Sequence, residues 1–366
     1  AQFGRGSQRC DALTACRAAL YDQIGVMTTT TMTPTAAGWI RFWLITLAIM
    51  VYAMILIGGA TRLTDSGLSI TEWAPIKGTL PPIGEAAWLV AFEKYAQTAE
   101  YQQQNYQMSM SEFQYIYWWE WGHRLFGRLI GVVAIAGFVI FLVRRWLTRT
   151  WITRCAVLIA LGGLQGVIGW WMVASGIGDT ERVDVAPYRL MTHFGLALFI
   201  IALIAWFWSD LRDQEKFTVD RPVRIGAYVL LGLIFLQMLT GALVAGLDAG
   251  RTYTDWPLMA GELVPQSYWQ HEMGARSLFE GRAATQFNHR LLAYILWGAA
   301  IGFAIWQRRS MIGTLAISLA VLVSLQAIWG ILTLLSVAPI GMALVHQGLG
   351  VIVLLFATRL AWRLSR

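Results

Sequence analysis

The chain has 366 residues, of which 57% are hydrophobic and only 13% charged, against about 25% charged in an ordinary soluble domain. With a mean hydropathy of +0.54, it is not a water-soluble globule. The formal charge of +7 is scattered over connecting segments rather than gathered on one face, which argues against nucleic-acid binding and calls for a membrane explanation.

Residues 1–26 carry Arg5, Arg9 and Arg17 with little apolar periodicity, ahead of a Thr-rich restart at Met27. They are expected to be a targeting segment or sequence upstream of the true start, and are set apart from the fold. Apolar stretches of about 20 residues then parse into eight membrane spans, at 41–60, 119–143, 155–175, 190–209, 225–247, 288–307, 312–336 and 342–360. With the N-terminus inside, the inner segments hold 17 basic residues and the outer ones 8, although the outer set includes the two longest loops. The positive-inside rule therefore puts both termini in the cytoplasm, or in the matrix of a mitochondrion. Cys10 and Cys16 fall in the leading segment and Cys155 stands alone at the start of the third span, so the body of the chain offers no disulfide framework.

A four-span unit is written twice. Ser69-Ile70-Thr71-Glu72-Trp73 after the first span recurs as Thr252-Tyr253-Thr254-Asp255-Trp256 after the fifth, and His123-Arg124-Leu125 recurs as His289-Arg290-Leu291. Leu164-Gln165-Gly166 is echoed by Leu325-Gln326-Ala327, and His193-Phe194-Gly195 by His346-Gln347-Gly348. An even number of spans per unit gives the two units the same orientation, related by an axis along the membrane normal. The expected architecture is all-α: eight transmembrane helices arranged as two tandem pseudo-symmetric four-helix bundles. Residues 1–40 form an N-terminal cytoplasmic segment, 41–210 the first bundle, 211–224 a cytoplasmic linker and 225–366 the second bundle.

Histidine inside a span is costly and usually functional. His123, His193, His289 and His346 all lie near the outer end of an even-numbered span, two per unit. Two imidazoles facing each other across a four-helix bundle clamp a heme iron from both sides. Zinc fits less well, because it takes four ligands and each unit offers two. His271, outside the repeat, reads as a surface residue, and Gln165 and Gln326 read as polar glue between helices. Arg124 and Arg290 either reach anionic propionates or snorkel to lipid headgroups.

One carboxylate breaks the symmetry. Glu120 precedes His123 by three residues and shares its helix face, whereas the equivalent residue of the second unit is the neutral Gln286. Unequal pockets suggest that one works on its ligand and the other holds a permanent group. Glu120 either takes part in that chemistry or only orients His123.

The chain resembles the heme A synthase family over about residues 40–360. The likeness rests on Gly58-Gly59-Ala60-Thr61-Arg62-Leu63-Thr64, Ser66-Gly67-Leu68-Ser69, Trp119-Glu120-Trp121-Gly122-His123-Arg124, Thr192-His193, Asn288-His289-Arg290 and His346-Gln347. Thr71-Glu72-Trp73-Ala74-Pro75-Ile76 in the long first outer loop resembles the mitochondrial and proteobacterial branch, and the outer-loop cysteine pairs of another branch are absent. The resemblance implies oxidation of the C8 methyl of heme O to a formyl group through hydroxylated intermediates, for use by terminal oxidases. It implies a heme b in the second unit on His289 and His346, with Arg124 and Arg290 beside the two sites. By the same likeness the substrate heme sits between His123 and His193, with Glu120 as the required acid. The implied setting is the bacterial inner membrane, with the heme sites toward the periplasm. The implied partners are a heme O synthase, an unidentified electron donor and, in some arrangements, further copies of the chain. A di-heme b-type electron-transfer cytochrome and a heme O carrier are the competing readings.

Overall fold

The computed structural model describes residues 31–178, 180–212 and 216–365. The leading segment with Arg5, Arg9, Arg17, Cys10 and Cys16 lies outside the described residues, as does part of the expected linker.

Among the described residues eight helices are long and apolar enough to cross a membrane: α1 (Pro34–Leu63), α2 (Met110–Val143), α3 (Arg149–Val173), α4 (Pro187–Asp210), α5 (Arg221–Gly246), α6 (Arg282–Gln307), α7 (Gly313–Leu335) and α8 (Ile340–Arg363). No strand occurs among the described residues beyond one isolated bridge between Met259 and Glu262. The protein is thus an all-helical, multi-pass membrane protein. Seven of these helices overrun their expected apolar stretch at one end or both, α7 alone falling within it, because local chemistry rather than hydropathy sets the ends. Thr33 caps α1, its hydroxyl accepting from Ala36 N–H with Pro34 in the first turn. Thr148 caps α3 in the same way. Ser109 and Glu112 form a reciprocal capping box at the start of α2, satisfying two of the donors a helix start leaves unpaired. That box lets α2 run for 34 residues, about 51 Å, so its first turns project past the level of the other helices.

Helices α1, α2, α3 and α4 pack in sequence, with α4 returning to α1; α5, α6, α7 and α8 do the same, with α8 returning to α5. The two sets meet through α1, α4, α5 and α8. Ile40, Leu44, Leu198, Ile201, Val351 and Leu354 are fully buried there. Gln347 on α8 crosses this boundary to donate to the Ile55 carbonyl at 3.0 Å, its amide occupying the space beside Gly59 that a side chain there would fill.

The histidine end carries the long connections. After α1 the chain forms two short helices, Glu85–Ala96 and Ala99–Gln103, which fold onto the projecting turns of α2. Tyr95 stacks on Phe113 at 5.3 Å, and Tyr95, Phe113, Ile116 and Tyr117 make a small core of their own. Also at this end, Arg62 reaches Asp65 at 2.8 Å, Asp184 at 3.4 Å and Asp248 at 2.9 Å, joining three connections from both halves. At the far end, Phe217 N–H donates to the Arg363 carbonyl and Lys216 to Ser365, while Trp362 Nε1 donates to Asp210 at 2.6 Å.

Candidate heme sites at the histidine end

All four predicted histidines lie on even-numbered helices, His193, His289 and His346 about two turns in and His123 about four, half-buried and facing the interior of their own half. His123 is close enough to His193 for their charges to interact, and His289 to His346. Each imidazole lies against a glycine of the preceding helix. A Cβ at Gly58 would come 3.1 Å from His123 Nε2, and at Gly169 2.8 Å from His193 Cε1. The matching distances are 3.2 Å from Gly241 to His289 and 2.7 Å from Gly330 to His346. A side chain at Gly169 or Gly330 would force the ring to move, and one at Gly58 or Gly241 would press it slightly.

The histidines are held by amides. Gln165 Nε2 donates to the His193 carbonyl at 3.0 Å, and Gln326 Nε2 to that of His346 at 2.9 Å. The two glutamines read as helix glue therefore orient the histidine-bearing turns. Gln237 on α5, which the sequence reading passed over, donates to the His289 carbonyl at 3.0 Å and lies 3.1 Å from its Nδ1. Thr240 Oγ1 is 2.9 Å from the same nitrogen. The positions of α1 that correspond to Gln237 and Thr240 are Met54 and Ile57, which cannot bond an imidazole. The His289 ring is thus fixed by two side chains that the His123 ring lacks.

The arrangement suits a flat iron macrocycle better than a bare metal. Among the described residues no three His, Cys, Asp or Glu come together to hold a metal ion. His193 Nδ1, Gln165 Oε1, Gln237 Oε1, Gln326 Oε1 and Arg290 Nε are buried without a partner, and buried polar atoms left open in this way point to an absent partner. Glycine-backed imidazoles with open polar atoms around them fit a heme in each half.

Above His123, Glu120 is 2% exposed. Its Oε2 accepts from Ser69 Oγ at 2.8 Å and from Ile70 N–H at 2.7 Å; its Oε1 accepts from Arg124 Nη2 at 2.6 Å. Arg124 also donates to the carbonyls of Ile70 and Glu72, both at 2.8 Å. In the second half Arg290 donates to the carbonyls of Tyr253 and Asp255, the corresponding positions. The two arginines therefore clasp the loops at the same register, an occupation that neither propionate binding nor snorkelling anticipates. Gln286 donates to the Tyr253 carbonyl at 2.9 Å.

Two further titratable groups lie near this site and were not singled out from sequence. Glu100, in the cap, is 2% exposed, its Oε2 has no partner, and burial pushes its carboxyl up to about 8. Asp184 is also raised, by burial, against the opposing pull of Arg62. A buried glutamate outside the spans carries no period or motif, so the sequence offers no signal for Glu100.

Fold and site together define a helical membrane protein with two register-matched histidine pairs, one furnished with a carboxylate and the other with a tighter amide and hydroxyl frame. The chain belongs to the cytochrome oxidase assembly protein family (COX15-CtaA), whose sequence profile matches residues 41–358. It is 64% identical to a protein named heme A synthase from Hyphomonas neptunium, over 92% of this chain and 96% of that one. Proteins of the same name from Caulobacter vibrioides and Paracoccus denitrificans are each 46% identical, the first over 89% of this chain and 96% of its own length, the second over 85% and 84%.

Proposed function

We propose that this chain is a heme A synthase, an oxidoreductase of the bacterial inner membrane that converts heme O to heme A. The observation that carries the reading is the asymmetry between the two histidine pairs, on top of extensive identity to proteins of that name. The eight helices read as two four-helix units, 41–210 and 225–366, with both termini cytoplasmic and the histidines toward the periplasm.

In the second unit His289 and His346 would hold a resident heme b, with Gln237, Thr240 and Gln326 bonded to their rings. A bis-histidine heme supplies one-electron redox chemistry. The free Nε of Arg290 is the donor left for an anionic edge of that group. In the first unit His123 and His193 flank the substrate, heme O. The looser frame around His123, with Met54 and Ile57 in place of an amide and a hydroxyl, suits a site whose occupant is exchanged.

Converting a ring methyl to a formyl group takes two successive two-electron oxidations and the gain of one oxygen atom, with protons leaving the ring carbon at each oxidation. Glu120 is the carboxylate placed to manage them. Its Oε2 is held by two donors and its Oε1 by one, so Oε1 has the open lone pair that receives a proton. Ser69 and Ile70 keep the carboxylate aimed, and Arg124 joins it to the loop that closes the site. A heme O synthase is the natural supplier of substrate, and a separate electron donor is the second partner.

The test is to express the protein with and without a heme O synthase and identify the extracted hemes by chromatography and mass. Formyl or hydroxymethyl heme that appears only with the heme O supply supports the reading. Two heme b per chain under both conditions would favour an electron-transfer cytochrome, and unaltered heme O a carrier.

A further inference from the structure

We propose that the seam between α2 and α3 is a portal open to the lipid, through which heme O enters its site sideways from the bilayer. The inference rests on the reading that the first half takes heme O, whose apolar isoprenoid tail keeps it in the membrane. The second half, which holds a permanent group on that reading, serves as an internal control.

In the second half the corresponding helices, α6 and α7, are packed closely along their length. Partway down them Trp297 Nε1 donates to Ser324 Oγ at 3.0 Å, and Val323 beside it is buried. In the first half the matching positions, counted from the paired histidines and the paired Gln165 and Gln326, are Gly131 for Trp297, Gly163 for Ser324 and Gly162 for Val323. A Cβ on any of the three would have nothing within 4 Å. The stitch is replaced by empty space at the same depth, and α2 and α3 pack on each other far more sparsely than α6 and α7. Only 6% of the apolar stretch of α2 and 11% of that of α3 is buried, against 22% for each of α6 and α7. Both pairs occupy the same peripheral place in their halves, so the difference is not one of position.

On the helices that form and back the seam, Gln165 Oε1 and His193 Nδ1 are buried without a partner, the groups an entering molecule would meet. Toward the water the seam is shut. Trp73 leans across it onto Trp170 of α3, with ring centroids 5.1 Å apart, whereas its counterpart Trp256 turns back to Tyr294 on α6. Arg124 lies over the same Trp170 at 5.9 Å. The segment after Trp73 is anchored along α2, where Arg128 donates to the carbonyls of Pro75 at 2.9 Å and Ala74 at 3.1 Å. Closed at the aqueous end and open below, the seam admits a lipid-dissolved molecule and excludes an aqueous one.

The experiment uses the full chain in phosphatidylcholine vesicles containing heme O, with loading followed by the heme absorbance and heme b measured separately. Gly131→Trp with Gly163→Ser rebuilds the stitch and is expected to slow heme O loading by about tenfold or more, while heme b content stays at the level of the unaltered chain. Gly131→Leu alone, a smaller change, is expected to slow loading as well and keeps the test decisive should the double variant not fold. Loading at the unaltered rate in either folded variant overturns the portal. An unaltered chain that takes up no heme O overturns the functional reading and the portal with it, so the two failures are distinguishable.

Discussion

Glu120 accepts a hydrogen bond from the N–H of Ile70, whereas Gln286, at the same place on α6, donates to the carbonyl of Tyr253. One position of a duplicated scaffold thus binds its loop with opposite polarity in the two halves, and an amide cannot reproduce what Glu120 does. In Glu120→Gln the side chain can satisfy Ile70 only by turning its NH2 toward the Arg124 guanidinium, donor against donor. Removing one member of a buried charge pair costs roughly 3–5 kcal/mol, and the partial exposure of Arg124 puts this case at the low end. Heme A yield is expected to fall about a hundredfold while heme b content is retained; full turnover in this variant would remove Glu120 from the chemistry.

The glycines behind the histidines give a graded series. Gly330→Ala places a methyl 2.7 Å from His346 Cε1, where Gly241→Ala places one 3.2 Å from His289. The first distance requires the ring to move and the second only a slight yielding. Heme b retention on purification is expected to be lost in Gly330→Ala and reduced in Gly241→Ala. Equal retention in the two would show that the rings are free to shift.

Thr240→Ile transplants into the second half the residue that the first half has at that place. It removes the hydroxyl 2.9 Å from His289 Nδ1, and loss of such a partner behind a ligating histidine typically costs 10–100-fold in affinity. The heme b dissociation rate is expected to rise by about that factor, with heme O loading of the first half unchanged. A dissociation rate like that of the unaltered chain would assign the orientation of His289 to Gln237 alone.

Glu100 predicts a pH dependence of the cap. Its carboxyl is raised from 4.5 to about 8 by burial first, then by Glu120, Asp184 and Asp65, with the Tyr95 hydroxyl acting in the other direction. Because the folded form holds the proton more tightly than the unfolded form, this group's contribution is fully present below about 4.5 and is lost as pH rises toward 8. Hydrogen exchange in 85–103, divided by the intrinsic base-catalysed rate of each amide, is expected to accelerate from pH 5 to 8 and to become flat across that range in Glu100→Gln. Acceleration of the same size in the variant would place the effect on another group.

The parts of this architecture that repeat were legible in the sequence. Eight apolar stretches, four histidines and the doubled loop motif each carry a period or a partner that marks them. Helix ends were not, because Ser109, Thr33 and Thr148 act through one or two hydrogen bonds that leave no trace in hydropathy. The Ser-x-x-Glu pattern at 109–112 was available as a capping signal, and it would have placed the start of α2 at Met110 rather than near 119. Gln237 could have been found by the reasoning that marked Gln165 and Gln326, since it too is an amide in an apolar run. The clasp of Arg124 and Arg290 on loop carbonyls could not, because a carbonyl acceptor has no sequence identity.

Arg62 gathers Asp65, Asp184 and Asp248 at the histidine end, and Trp362 on α8 donates to Asp210 at the end of α4 at the other. The halves are therefore fastened at top and bottom like a door bolted on both edges. Any electron passing from one histidine pair to the other crosses a gap whose width the fold has fixed in advance. Its rate then follows from the potentials at the two ends rather than from any motion that brings them together.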